Sequence, residues 1–153
     1  MRKCFSSNYK KEYLTNVDKY DISVCLDTQI LEFSNIKRDK SENIFVPQKT
    51  LVAFNESVRC YENKCFVASF VMIKRALEEI FKDKSIKGYT LKSKIENISL
   101  EISLPRELIE AINEIKILND VFFDIESKNF TDTTEIEIWL IIDLTKEIIK
   151  NLY

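Results

Sequence analysis

One glycine and two prolines in a chain of 153 residues leave almost no points at which a helix has to break. Glycine supplies left-handed backbone and proline removes a backbone donor, so a chain nearly free of both favours long helices over a turn-rich β-sandwich. The length fits one domain, or a small N-terminal element attached to one. With 45% hydrophobic and 31% charged residues the chain reads as globular rather than disordered. The formal net charge is −2, and nothing global points to nucleic acid or an anionic membrane. Met1 to Tyr20 is polar, without an apolar signal core. Nowhere does the chain reach the roughly 18 uninterrupted apolar residues of a membrane helix. A cytoplasmic location and no membrane association are therefore expected.

The chain contains no histidine. This excludes every mechanism that needs an imidazole to move a proton near neutral pH, a histidine-dependent ribonuclease among them. A serine nucleophile would lack its base, and one glycine cannot build a phosphate-cradling loop. Cys4, Cys25, Cys60 and Cys65 form no C-x-x-C pair. They read as free, partly buried thiols in a reducing cytosol rather than as zinc ligands, with Cys60 and Cys65 flanking a short interhelical turn. Neither a metal nor a cofactor is expected.

Hydrophobic periodicity divides the chain near residue 46. In 1–46, Ile22, Val24 and Leu26 alternate with polar positions, and Ile30, Leu31 and Phe33 offer a second short strand. A polar loop, Lys37 to Asn43, follows. This region reads as a short β-containing or irregular arm. From Pro47 the period becomes that of a helix. Leu51, Phe54 or Asn55, Val58, and Tyr61 or Glu62 mark a first helix. Phe66, Phe70, Ile73, Leu77 and Ile80 mark a second, with Val67 and Val71 widening its stripe. The single glycine, Gly88, breaks the pattern. Thr90 can cap a short helix presenting Leu91, Ile95 and Ile98. Another helix begins at Leu104-Pro105 and is expected to run through Ala111, Ile115 and Leu118 to Phe122. A loop spans Ser127 to Phe130. Asp132-Thr-Thr-Glu135 resembles a capping box for a last helix, whose apolar arc (Ile138, Ile141, Thr145, Ile148, Leu152) is broadened by Ile142, Ile149, Trp139 and Leu140. Such a helix is either central to a bundle or shared with a partner. The fold class is thus mainly α, a bundle of about five helices over 47–153.

Charge is uneven along the chain. Between Met72 and Lys94, lysines and Arg75 outnumber Glu78, Glu79 and Asp83; between Asp120 and Asp143 only Lys128 opposes seven carboxylates. Solvated helix faces explain both stretches, and a basic partner or a metal ion at the acidic one is the alternative. Lys74, Arg75, Lys82 and Lys84 form a basic patch that would suit phosphate or an acidic protein, interleaved with acids that would salt-bridge it. Asp120 and Asp124, at i, i+4 on a helix end with Glu126 behind, are carboxylates that would hold a divalent metal for a nuclease, or simply a solvated last turn. Phe122, Phe123 and Trp139 are candidate interface residues, with Trp139 off the main stripe the best anchor.

The stretches VPQKTLVAFNESVRCYENKCFVASFVMIKRALEEIFKDK, TLKSKIENI, LPRELIEAINEIKIL and KEIIKNLY resemble a bacterial domain-of-unknown-function family, number 4145, usually grouped with the HEPN superfamily of helical domains. Ile73 to Ile80 and its spacing to TLKSKIENI carry most of the likeness, which covers 47–153. The resemblance implies a helical bundle that often dimerises. In ribonuclease members an Arg and a His at one helix end face their dimer mates and cleave RNA without metal. The family pattern, Arg-x-x-Gly-Asn-x-x-x-His, falls here on Lys116, Asn119, Asp120 and Asp124. The cation survives without its bidentate fork. The imidazole is replaced by a carboxylate, ionised at neutral pH and repelling phosphate. The family's N-terminal cysteine pairs, resembling a zinc ribbon, are reduced to Cys4 and Cys25. The expected function is a non-catalytic protein-binding module, a dimeric regulator or inhibitor in a bacterial or phage defence-related system. Its dimer interface is expected at the last helices, near Trp139 and Lys116 to Asp124. Two other readings stay open: a metal-dependent nuclease using Asp120, Asp124 and Glu126, and a nucleic-acid binder using residues 74–94.

Overall fold

A computed structural model describes residues 46–121, 124 and 126–153. Pro47 fixes the entry to the first helix, α1 (Gln48–Glu62): it sits at the N-cap, one position before the expected first turn, and its carbonyl accepts from the backbone N–H groups of Thr50 and Leu51. The second helix, α2 (Phe66–Asp83), returns antiparallel after three residues. Both helices end in the same way. After α1, Lys64 adopts φ 58°, and Cys65 N–H donates to the Cys60 carbonyl at 2.8 Å. After α2, Ser85 adopts φ 56°, and Ile86 N–H donates to the Phe81 carbonyl at 2.8 Å. These are Schellman-type ends, which usually place glycine at the left-handed position. With no glycine there, the chain uses Lys and Ser and accepts the strain.

The α1–α2 hairpin closes on small residues. Ser69 Oγ donates to the Ser57 carbonyl at 2.8 Å, and both serines are fully buried beside Ala53 and Ala76. The second stripe was expected to widen through Val67 and Val71, yet these are 50% and 39% exposed. Its buried flank is instead Ser69 and Ala76, because small side chains let two backbones approach where valines would hold them apart. The large buried residues of the pair, Phe54, Phe70, Ile73, Leu77, Ile80 and Phe81, point to the common core. Each such side chain contributes about 1.5–3 kcal/mol on leaving water.

The short helix α3 (Leu91–Ser99) starts as expected at Thr90, in a full capping box: Ser93 N–H donates to Thr90 Oγ1 at 3.1 Å, and Thr90 N–H donates to Ser93 Oγ at 3.0 Å. The next helix is a correction. It does not continue to Phe122; α4 is only Arg106–Ile112, followed by a turn and a 3-10 turn at Lys116–Asn119. Ile115, Ile117 and Leu118 are all buried. An uninterrupted helix would turn Ile117 about 200° from Ile115 and into water, and breaking the helix brings all three inside. The expected loop after it holds a four-residue helix, α5 (Lys128–Thr131), capped by Ser127.

The last helix, α6 (Glu135–Leu152), is capped two residues later than Asp132. Glu137 N–H donates to Thr134 Oγ1 at 3.3 Å, and Thr134 N–H donates to Glu137 Oε2 at 2.9 Å. Asp132 instead closes α5. Nine of the 18 residues of α6 are buried, including Leu140 and Leu144 on its second flank, and it packs on α1, α2 and α4. Within the chain this helix is central to the bundle, its arc packed against three other helices. The architecture over 46–153 is mainly helical, and the described residues contain no strand. None of their helices is long and apolar enough to cross a membrane. The expected strands around Ile22–Leu26 and Ile30–Phe33, and Cys4 and Cys25, lie outside the described residues.

Candidate functional site

Breaking α4 early decides the geometry of the segment from Lys116 to Glu126, read from the sequence as a degenerate motif or, alternatively, a metal-binding one. Ile115, Ile117 and Leu118 are pinned in the core, so Lys116 between them is turned to the surface at the start of the 3-10 turn. Asn119 is exposed and Asp120 leaves the turn in extended backbone (φ −70°, ψ 127°). Asp120 and Asp124 therefore do not share a helix face. Each carboxylate is engaged locally: Asn129 Nδ2 donates to Asp120 Oδ1 at 2.7 Å, and Glu126 N–H donates to Asp124 Oδ1 at 2.9 Å, an Asx-type turn. Glu126 itself is exposed. The convergent metal-binding triad inferred from helical spacing is thus corrected. Among the described residues no three His, Cys, Asp or Glu side chains come together to hold a metal ion. Phe122 and Phe123 lie outside the described residues.

What the fold assembles here is a cavity of about 160 Å³ lined by Glu114, Lys116, Asn129, Asp132, Thr133 and Glu137. Its walls are three separate pieces of chain. The turn after α4 brings Glu114 and Lys116. The short α5, which packs on the 3-10 turn, brings Asn129 and Asp132. The capped start of α6 brings Glu137. Thr133 Oγ1 donates to the Asn129 carbonyl at 2.7 Å and ties the last two together. Three carboxylates face one ammonium in this cavity, so its field is negative. At about 4 Å each unit charge is worth about 1 kcal/mol in water and several times more where water is displaced. A phosphate would meet net repulsion, and a Lys or Arg side chain net attraction. The acidic character was visible in the Asp120 to Asp143 stretch. Glu114, Asn129 and Thr133 were not, since only the turns bring them to the same place.

Trp139, expected as an interface anchor, packs inside the chain. It is 6% exposed, and its ring lies 5.5 Å from that of Tyr61 at 40°. Tyr61 also packs edge-on against Phe66 at 5.5 Å. The Tyr61 hydroxyl donates to Glu135 Oε1 at 3.3 Å. Burial, then the charge and hydrogen bond of Glu135, raise the phenol's pKa well above its ordinary value.

Two members of the basic patch are ion-paired and two are exposed. Lys74 lies 4.0 Å from Glu78, whose other oxygen takes Lys94 at 2.7 Å. Lys84 pairs with Asp83 at 3.5 Å and stands 4.2 Å over the Tyr153 ring, while the Tyr153 hydroxyl donates to Asp83 at 2.6 Å. Arg75 and Lys82 are exposed. Cys60 and Cys65 flank the α1–α2 turn as expected, the first half-buried and the second exposed. Burial, then nearby Cys65 and Glu56, push the Cys60 thiol up and away from the reactive thiolate.

Compared with known proteins, residues 55–153 match a family described as Domain of unknown function (DUF4145). No curated protein and no solved structure matches the chain.

Proposed function

Since this chain belongs to the DUF4145 family, we propose that it is a catalytically inactive, HEPN-like member of that family that works by binding another protein. The observation that carries this reading is the acid-rimmed cavity around Lys116. In the resemblance drawn from the sequence, Lys116 stands where a ribonuclease holds its phosphate-binding cation. Here that position is surrounded by Glu114, Asp132 and Glu137, a poor seat for an RNA backbone and a good one for a basic side chain. No imidazole is at hand to move a proton near neutral pH, and the carboxylates around Lys116 suit recognition of a cation better than turnover of a phosphate.

The partner is a protein presenting Lys or Arg. The setting is a bacterial or phage defence-related system, in which the module acts as a regulator or inhibitor. Homodimerisation through α6 draws little support, because the apolar arc of that helix is filled by the chain's own α1, α2 and α4. Reversing the rim with Glu114→Lys and Asp132→Lys tests the reading. Both side chains are exposed, so folding should be kept while partner binding falls at least tenfold. Metal-dependent or metal-independent cleavage of RNA by the purified chain, lost in Lys116→Ala, would overturn it.

A further inference from the structure

Tyr89 is 90% exposed, in a chain whose other described tyrosines, Tyr61 and Tyr153, are buried. It stands in the connection between α2 and α3, and the backbone that presents it is fixed. On one side the Schellman-type end of α2 sets the direction of the chain through Ile86. Asn97 Nδ2 then donates to the Lys87 carbonyl at 2.7 Å. On the other side the Thr90–Ser93 capping box locks the start of α3. Gly88 lies so close to that start, at φ 158°, that a Cβ there would stand 2.6 Å from Ser93 Oγ and 2.9 Å from the Lys94 backbone nitrogen. The connection is therefore pressed against α3, and the aromatic ring is held in water by a rigid support.

Lysines neighbour this ring along the chain. Lys87 is two residues before it and Lys92 three after, within about 8 and 11 Å along the backbone. Lys82 closes the last turn of α2. Lys82 and Lys87 are exposed, and the Lys92 ammonium reaches only the Asn113 carbonyl, at 3.4 Å. The carboxylate next to Lys82 in the chain, Asp83, is engaged by Tyr153 and Lys84. Glu79 and Glu96, one turn back from Lys82 and one turn on from Lys92, bound the patch. At physiological salt charges act over about 8 Å, so the local lysines, not the net charge of the molecule, decide what approaches.

We propose that the α2–α3 connection is a binding site for single-stranded nucleic acid, in which a base stacks on Tyr89 and Lys82, Lys87 and Lys92 take the flanking phosphates. An exposed aromatic on a fixed backbone between lysines provides both contacts that such ligands use, a π-face and a cationic track. An acidic peptide would use the cations and leave the ring without a role. The site is separate from the Lys116 cavity and does not depend on the reading given to it.

Fluorescence anisotropy on the full chain tests this, with labelled oligo-uridine and oligo-deoxythymidine of about twelve nucleotides, a length that covers a small single-strand site, at low salt. Micromolar binding that weakens steeply with salt is expected, the two arms showing whether the 2′-hydroxyl matters. Tyr89→Ala should weaken binding about tenfold, Tyr89→Phe should retain it, and Lys87→Gln should flatten the salt dependence. Absence of binding to both oligonucleotides, equal affinity in Tyr89→Ala, or equal competition by poly-glutamate would each overturn the proposal. Tyr89 buries almost nothing, so loss of folding does not confuse the result.

Discussion

Three residues in unusual backbone report how the chain manages with so few breakers. Ser85 sits at φ 56° and Lys64 at φ 58°, in a region where a side chain costs about 1–2 kcal/mol. Ser85→Gly should therefore stabilise the protein by about 0.5–1 kcal/mol, part of the relief being offset by the freer unfolded chain. Gly88 carries the opposite prediction. Its absent Cβ would meet Ser93 and Lys94, so Gly88→Ala should destabilise by about 1–3 kcal/mol. Urea midpoints of the two variants, moving in opposite directions, check both. The sequence announced Gly88 as a break between helices. It could not announce a close approach, because the atoms that crowd the glycine belong to the next helix.

At the scale of elements, helix existence was legible and helix extent was not. The stepping of Phe70, Ile73, Leu77 and Ile80 announces α2 unaided. The early end of α4 escaped, because Leu108, Ala111, Ile115 and Leu118 are spaced as a helix would space them; Ile117, the residue out of phase, was the only sign. That miss also dissolved the expected Asp120–Asp124 pair, since a helical register was its sole basis. Cap positions slipped for a related reason: Asp132 and Thr134 are both good caps, and only the end of α5 decides between them. Thr134→Ala should accordingly cost about 1 kcal/mol, and Asp132→Ala less than about 0.5 kcal/mol, by thermal unfolding. Equal losses would mean the helix starts elsewhere. Trp139→Ala separates the anchor and core readings of α6. Buried against Tyr61, it should lose about 3–5 kcal/mol of stability, visible in denaturation of the isolated chain at any concentration.

For the molecule as a whole, two buried phenols tie distant parts of the bundle together. Tyr61 links α1 to Glu135 at the start of α6, and Tyr153 links the far end of α6 to Asp83 at the end of α2. Burial first, then the adjacent carboxylate, raises both pKa values above the ordinary phenol value of about 10. A raised folded-state pKa means the folded form holds its proton more tightly. Its contribution is therefore complete below pH 10 and is lost as pH climbs from there toward the raised value. The melting temperature should be flat near neutrality and fall above about pH 10. The double variant Tyr61→Phe, Tyr153→Phe should start lower and fall less steeply over that range.

The same scale holds the question of what the bundle is for. The sequence made the absence of histidine visible, but the acid-lined cavity is assembled from the turn after α4, the short α5 and the start of α6. Its negative rim is the centre of the functional account. The most direct test is affinity capture of binding proteins by the tagged chain from cells that encode it, quantified beside the Glu114→Lys, Asp132→Lys variant of matched thermal stability. The account predicts a partner with an exposed basic segment, retained at least tenfold better by the native chain and restored by charge reversal on the partner. A partner held equally by both chains would contradict it.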